Sequence, residues 1–372
     1  MQELERDLIR RFRDKINDNH HFVLHKYRNM NGKNLWNVIC SAMDWIEVAV
    51  EGIPYIQLGN KNENVASLNL MQLICAMDLV TESTRQLYRV FELPYPYHND
   101  HCIFGNEKTD DTYFKHVRAM FGVHPVNLTG ENDERYYASW STPKLEADFS
   151  VFVYSNQPDK ESQIHSIFIK DLFEYTIKRY SLLNDLIEHV EHDYQTHLIN
   201  WKGNLILGYS ATLDQIDILL HENEQRFGIG EAYWFQLEEL KKLFEIDDTV
   251  YDVRHRVTVL AYKDELKIVL NEIQHNLQYM NIEELKNYEI LYSFESIPFS
   301  YNKEKLLTYL RDPDSDFNAR ILADYALRAM VQMGVFPKEA LDYERDELLL
   351  YLSAWQWDQN KRRGIAEKNG RR

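Results

Sequence analysis

Cysteine, glycine and proline are all scarce in this chain, and each scarcity removes a class of structure. Three cysteines, Cys40, Cys75 and Cys102, occur in 372 residues, and none forms a C-x-x-C pair. That excludes a dense disulfide framework and a zinc ribbon. Cys40 and Cys75 fall in apolar helical runs and read as small core residues. Thirteen glycines and nine prolines are too few for a loop-rich β-sandwich or barrel, whose many turns draw on those residues. The phosphate loop G-x-x-x-x-G-K-[ST] and the elbow G-x-S-x-G are both missing, which disfavours P-loop ATPase, kinase and α/β-hydrolase readings. No apolar run approaches the ~18–20 residues of a membrane span. The opening Met-Gln-Glu-Leu-Glu-Arg-Asp is too acidic for a signal peptide. A cytoplasmic protein without a membrane partner is expected.

Positive charge is also in deficit. Lysine and arginine number 42 against 59 acids, a formal net charge of −17. Phosphate attraction dominates non-specific nucleic-acid binding, so that balance argues against it while leaving room for a small basic site. The last twelve residues run the other way, with six basic residues against Glu367. Residues 361–372 are expected to form a basic, disordered tail.

Apolar and aromatic residues are plentiful. Hydrophobic residues make up 44% of the chain, with 24 tyrosines and 17 phenylalanines, which is the composition of a folded protein with large buried side chains. Their spacing is mostly helical. Residues 2–28 read as one charged helix with Leu4, Leu8, Ile9, Phe12 and Ile16 on a side. Residues 34–51 read as a second, stopped by Gly52 and Pro54, and 65–92 as a third, stopped by Pro94 and Pro96. A polar loop then leads to a helix capped by Asp110, Asp111 or Thr112 and running through Met120. Residues 126–148 look irregular, 149–155 and 164–169 alternate as two strands, and helices resume from about 170.

The expected fold is therefore mainly α: an N-terminal helical bundle, a short β-hairpin near 149–169 and a C-terminal helical region. The expected domains are 1–147 and 148–360, the second able to divide again near 203–210, followed by the tail.

The most informative segment is Lys115-His116-Val117-Arg118-Ala119-Met120-Phe121-Gly122-Val123-His124-Pro125. Phe114, Val117 and Phe121 give the helix an apolar stripe, and Arg118 lies at its edge, where its stem can be buried and its head free. Gly122 and Pro125 break the helix around His124. Metal-free RNA cleavage needs a base for the 2′-hydroxyl proton and an acid for the leaving oxygen, and histidine, with a reference pKa of about 6.5, can serve as either. Arginine can hold the phosphate bidentately and stabilise charge in the transition state. Lys115 and His116 would add local positive charge as substrate-binding residues.

Here the chain resembles the HEPN superfamily, whose signature is an arginine followed, after four to six residues, by a histidine. Arg118 and His124 have five residues between them, and a second match to that signature, Arg13 and His20 with six between, lies in the first, charged helix. The resemblance implies a helical bundle over residues 2–125, a metal-independent endoribonuclease without cofactor, and a homodimer whose paired motifs make one active site. RNA would be the substrate, and phage defence or a toxin system the setting. Ala119 stands where active members commonly carry Asn, Asp or His.

Two other readings compete. An acidic helical protein can bind a basic partner by charge complementarity, without catalysis. Alternatively Asp44, Glu47 and Glu51 on the second helix, with Asp78 and Glu82 on the third, would hold Mg²⁺ for nucleotide hydrolysis if their faces met. That loosely resembles the all-α nucleotide pyrophosphatases, although the spacings depart from theirs. Glu188, His189, Glu191, His192 and His197 read as a surface helix, and His98, His101 and Cys102 lack a fourth zinc ligand. No metal site is expected.

Overall fold

The helical periodicity carries through into a mainly α protein with one small antiparallel sheet. The structure, a computed structural model, describes residues 3–129, 134–140, 147–208, 211–296, 300–312 and 318–370, except the side chains of 129, 295, 296, 300 and 364–370. The chain divides into two compact units, Met1–Gln195 and Thr196–Arg372.

The first unit opens with α1 (Arg6–Asp18) and α2 (His20–Tyr27). One helix was expected over this stretch. Asn19 interrupts it with φ −107° and ψ 24°, and its side-chain amide donates to the Lys15 carbonyl at 3.0 Å. That bond competes with the backbone ladder, as asparagine side chains commonly do. α3 (Trp36–Gly52) and α4 (Glu63–Val90) follow as the periodicity indicates. The Asn62 side chain caps α4 by accepting from the backbone amides of Asn64 and Val65. α4 is long and apolar enough to cross a bilayer, contrary to the expectation of no such run. Here its apolar stripe, Leu70, Leu73, Ile74, Met77, Val80 and Leu87, is buried in the unit's core.

After α5 (Asp110–Arg118) and a π-helical turn over Ala119–Val123 comes the sheet: β1 (Leu128–Thr129), β2 (Arg135–Trp140), β3 (Phe149–Ser155) and β4 (Gln163–Ile167), in that spatial order. The hairpin near 149–169 is present, with Val151 opposite His165 and Phe149 opposite Ile167. The stretch read as irregular contributes two further strands, β2 pairing antiparallel with β3 from Tyr136 to Trp140. Its alternation was hard to read because Tyr137 and Trp140 stay exposed on a short strand. α6 (Ile169–Tyr180) and α7 (Leu183–Gly203) complete this part of the chain.

The division between units falls within α7, not at 147/148. The physical reason is burial: Val151, Val153, Ile167, Leu172, Phe173, Tyr175, Leu183, Leu186 and Val190 all belong to the same core as α1–α5. The second unit is helical among its described residues: α8 (Thr212–Phe227), α9 (Trp234–Glu245), α10 (Val253–Gln278), α11 (Tyr288–Leu291), α12 (Ser300–Arg311), α13 (Ala319–Gln332) and α14 (Arg345–Gly370). Gly228, at φ 104°, ends α8 in a conformation that favours glycine. Pro298 and Pro313, where proline's missing amide predicts breaks in the helical pattern, lie outside the described residues. α14 runs into the segment expected as a disordered tail, with Lys361 paired to Glu265 at 3.0 Å and Arg362 to Asp358 at 2.8 Å.

Candidate functional site

α5 positions Lys115, His116 and Arg118 of the sequence motif, and the π-helical turn after it leads to His124. The N-cap of α5 is Thr109, one residue before the expected candidates, whose hydroxyl accepts from the Thr112 amide. Asp110 is instead fully buried, and its carboxylate accepts the amides of Ile103 and Phe104, each at 3.1 Å. Asp111 fastens the helix to the core. It pairs with Arg85 at 2.8 Å, accepts from Arg179 Nε at 3.0 Å and accepts the Tyr175 hydroxyl at 2.9 Å. Arg179 is fully buried, between the rings of Tyr97 and Tyr175, and also pairs with Asp100 at 3.4 Å. Burial by itself would raise the Asp100 carboxyl, but Lys178, Cys102 and Arg179 outweigh it and hold that group at about 2.

Arg118 ends α5, and its Nη1 is ion-paired with Asp78 of α4. The Arg118 side chain is 36% exposed and that of Asp78 17%. Cys75, one turn before Asp78, is exposed rather than buried in the core. Partial desolvation by its neighbours raises its thiol pKa, Asp78 adds to the rise and Arg118 opposes it, so the thiol stands beside the ion pair. A signal for this lay in the sequence: Cys75, Asp78 and Glu82 fall on one stripe of α4, offset from Leu70, Ile74 and Met77.

His124 follows the π-helical turn. Its amide donates to the Ala119 carbonyl at 3.2 Å, and its carbonyl accepts the Asn127 amide at 3.0 Å, with Pro125 between. Proline suits that second position of a β-turn. The Pro125 carbonyl in turn accepts the Ala138 amide at 2.6 Å, which ties the turn to β2. His124 is thus an exposed side chain on a well-anchored backbone. No hydrogen bond joins it to Arg118 among the described residues.

Lys115 and His116 divide between the sides of the helix. Lys115 is three positions before Arg118, on a shared face, whereas His116 is two positions before it and points elsewhere. The His116 Nε2 lies 3.1 Å from Lys108 Nζ. Burial lowers the His116 pKa, and Lys108 and His165 of β4 lower it further. The His165 pKa is lowered by burial and then by Lys108. The structure therefore puts Arg118 and His116 in different environments and adds Lys108 and His165, which lie 57 positions apart in sequence, to the second.

The alternative constellations disperse. Arg13 pairs with Asp44 and Glu47, Arg10 and Arg6 with Glu51, and Arg85 with Glu82. The acids of α3 and α4 thus meet arginines rather than one another. Arg13 is committed to those acids, and His20 packs edge-on against Trp36. His189 approaches Asp193 at 3.4 Å while Glu191 bonds Lys15 and Gln195. The His101 ring nitrogen meets the carbonyls of Asn106 and Lys108, which orders the loop that carries Lys108. Among the described residues, no group of three His, Cys, Asp or Glu side chains is placed to hold a metal ion.

Compared with protein-family models, curated proteins and solved structures, the chain matches none of them.

Proposed function

We propose that the first unit is a metal-independent endoribonuclease of HEPN type. Arg118 holds the scissile phosphate and His124 transfers the proton. One histidine cannot both take the 2′-hydroxyl proton and give one to the leaving 5′-oxygen in a single step, so two copies of the chain would each supply one. As the 2′-oxygen–phosphorus bond forms and the bond to the 5′-oxygen breaks, one imidazole gains a proton and the other loses one. The observation that carries this reading is the incomplete use of Arg118. A guanidinium has five N–H donors, and only Nη1 has a partner, Asp78, among the described residues. The remaining donors suit a phosphate, and His124 stands six positions on, exposed on a fixed turn.

The test is incubation of the purified protein with mixed cellular RNA in EDTA, beside His124→Ala. Cleavage by the native protein that falls by about a hundredfold or more in the variant supports the reading, the usual range for a lost general acid or base. No cleavage by the folded native protein rejects it.

The Arg118–Asp78 pair itself favours a second reading, a non-enzymatic protein in which this arginine ties α5 to α4 and the acidic surface binds a basic partner. Under that reading Arg118→Gln lowers stability and leaves partner binding intact.

A further inference from the structure

Many basic groups of this acidic chain find carboxylates. Arg10, Arg13, Arg85, Arg118, Lys178 and Lys241 all do. Lys108 does not. Its ammonium is 3.1 Å from an imidazole nitrogen, and among the described residues no carboxylate pairs with Lys108, His116 or His165. An ammonium can only donate, so Nε2 of His116 must accept, which leaves the His116 proton on Nδ1. His165 enters from β4, opposite Val151 and two positions before the buried Ile167. It therefore lies on the sheet face that packs into the core, at an edge strand, is only partly covered, and is close enough to Lys108 and His116 for their charges to act on one another. Lys108 and His116 are exposed, so the cluster opens to solvent. Its elements also carry His98, Asp100, His101, Cys102 and Glu107 on the loop and Asp110, Asp111, Tyr113, Lys115 and Arg118 on α5, of which Asp100, Asp110, Asp111 and Arg118 are engaged in the contacts described above. His101 is bonded to the carbonyls of that same loop.

Three nitrogenous groups with one full positive charge and no counter-ion have a shared deficiency. A divalent cation would be repelled by Lys108 and would find only two ligands. Among the described residues a carboxylate partner is lacking. A phosphate offers several acceptor oxygens, strong charge-assisted hydrogen bonds to the ammonium, and enough negative charge to draw protons onto both imidazoles. We infer that Lys108, His116 and His165 form a binding site for a phosphate group. This site is separate from Arg118 and His124 and does not depend on their being catalytic.

The test is NMR titration of the histidine ring signals of the full chain, assigned with His116→Gln and His165→Gln. Inorganic phosphate at millimolar concentration is expected to shift both sets and to raise both pKa values by about one pH unit, the ordinary effect of a nearby opposite charge. Chloride at equal ionic strength is expected to do neither. Lys108→Gln, an exposed substitution that leaves the core intact, is expected to weaken the phosphate effect about tenfold, the loss of one charge-assisted contact. A second arm uses a single-stranded 2′-O-methyl RNA, which cannot be cleaved by attack of a 2′-hydroxyl. Shifts at lower concentration than with inorganic phosphate identify a nucleic-acid phosphodiester as the source, and the reverse order identifies a free phosphate or monoester. Unmoved His116 and His165 signals in both arms, or shifts unchanged in Lys108→Gln, overturn the inference. Neither result bears on cleavage by His124, which the RNA assay reads separately.

Discussion

The two sides of α5 make opposite use of the same kind of residue. On one, Arg118 meets the carboxylate of Asp78, so its charge is matched within the protein. On the other, Lys108 meets the neutral imidazole of His116, and its charge is left over. A cation with an internal partner is chiefly a structural tie, whereas one facing only lone pairs keeps its attraction for an external anion. Spacing cannot make that distinction, because Lys115, His116 and Arg118 all appear in the sequence as one basic cluster.

The largest effect should come from removing what both sides share. Asp111→Ala leaves Arg179, fully buried, and Arg85, whose side chain is 10% exposed, without their common carboxylate. Breaking a buried pair by deleting one partner typically costs about 3–5 kcal/mol. Chemical denaturation should show that loss, and both the Arg118 and His116 environments should be disturbed together. A loss under about 1 kcal/mol would mean that α5 is held chiefly by its apolar stripe.

Acid should weaken the same anchor by a smaller amount. The folded-state pKa of Asp100 is about 2, below its reference value of 3.8. A depressed carboxyl stabilises the fold above its unfolded pKa and loses that contribution as pH falls through the folded one. The window is therefore from about pH 4 down to about 2, and the contribution is about 2 kcal/mol. Denaturation of the native protein and of Asp100→Asn across that range should converge as the pH drops. A constant gap between them would contradict this assignment.

The smallest effect separates the sides. Asp78→Asn removes a carboxylate that, after burial, raises the Cys75 thiol, and leaves Arg118, which lowers it. The Cys75 pKa should fall, and alkylation by iodoacetamide at pH 8 should speed up about two- to threefold, since the thiolate is the reactive form. The His116 and His165 ring signals should stay where they are. Movement of those signals would show that the two sides are coupled after all.

Much of the architecture was legible along the chain. α3 and α4 follow the apolar spacing of Ile39, Met43, Ile46 and Leu70, Leu73, Met77, and the Gly52 and Pro94 neighbourhoods end them. The β3–β4 hairpin follows its alternation. Less legible were β1 and β2, too short and exposed to show a clear period, and the Asn19 break, where a side-chain bond outcompetes the helix. The site was legible only in part. The sequence supplied Arg118 and His124, and the bend at Gly122–Pro125 was visible in advance. The anchoring of that bend to Ala138 was not, because it is a backbone bond to a strand with weak patterning.

Composition and local spacing alone determined a mainly α chain, the places where its N-terminal helices stop, and a helix-to-turn segment carrying Lys115, His116, Arg118 and His124. Those are short-range properties, set by periodicity of about four residues and by backbone-restricted glycine and proline. Tertiary structure alone decided that Arg118 meets a carboxylate while His116 meets Lys108. Asp78 lies 40 positions from Arg118, and His165, held on β4 by its pairing with β3, comes within electrostatic reach of His116 from 49 positions away. Electrostatic partnership depends on distance through space, which a linear pattern does not contain.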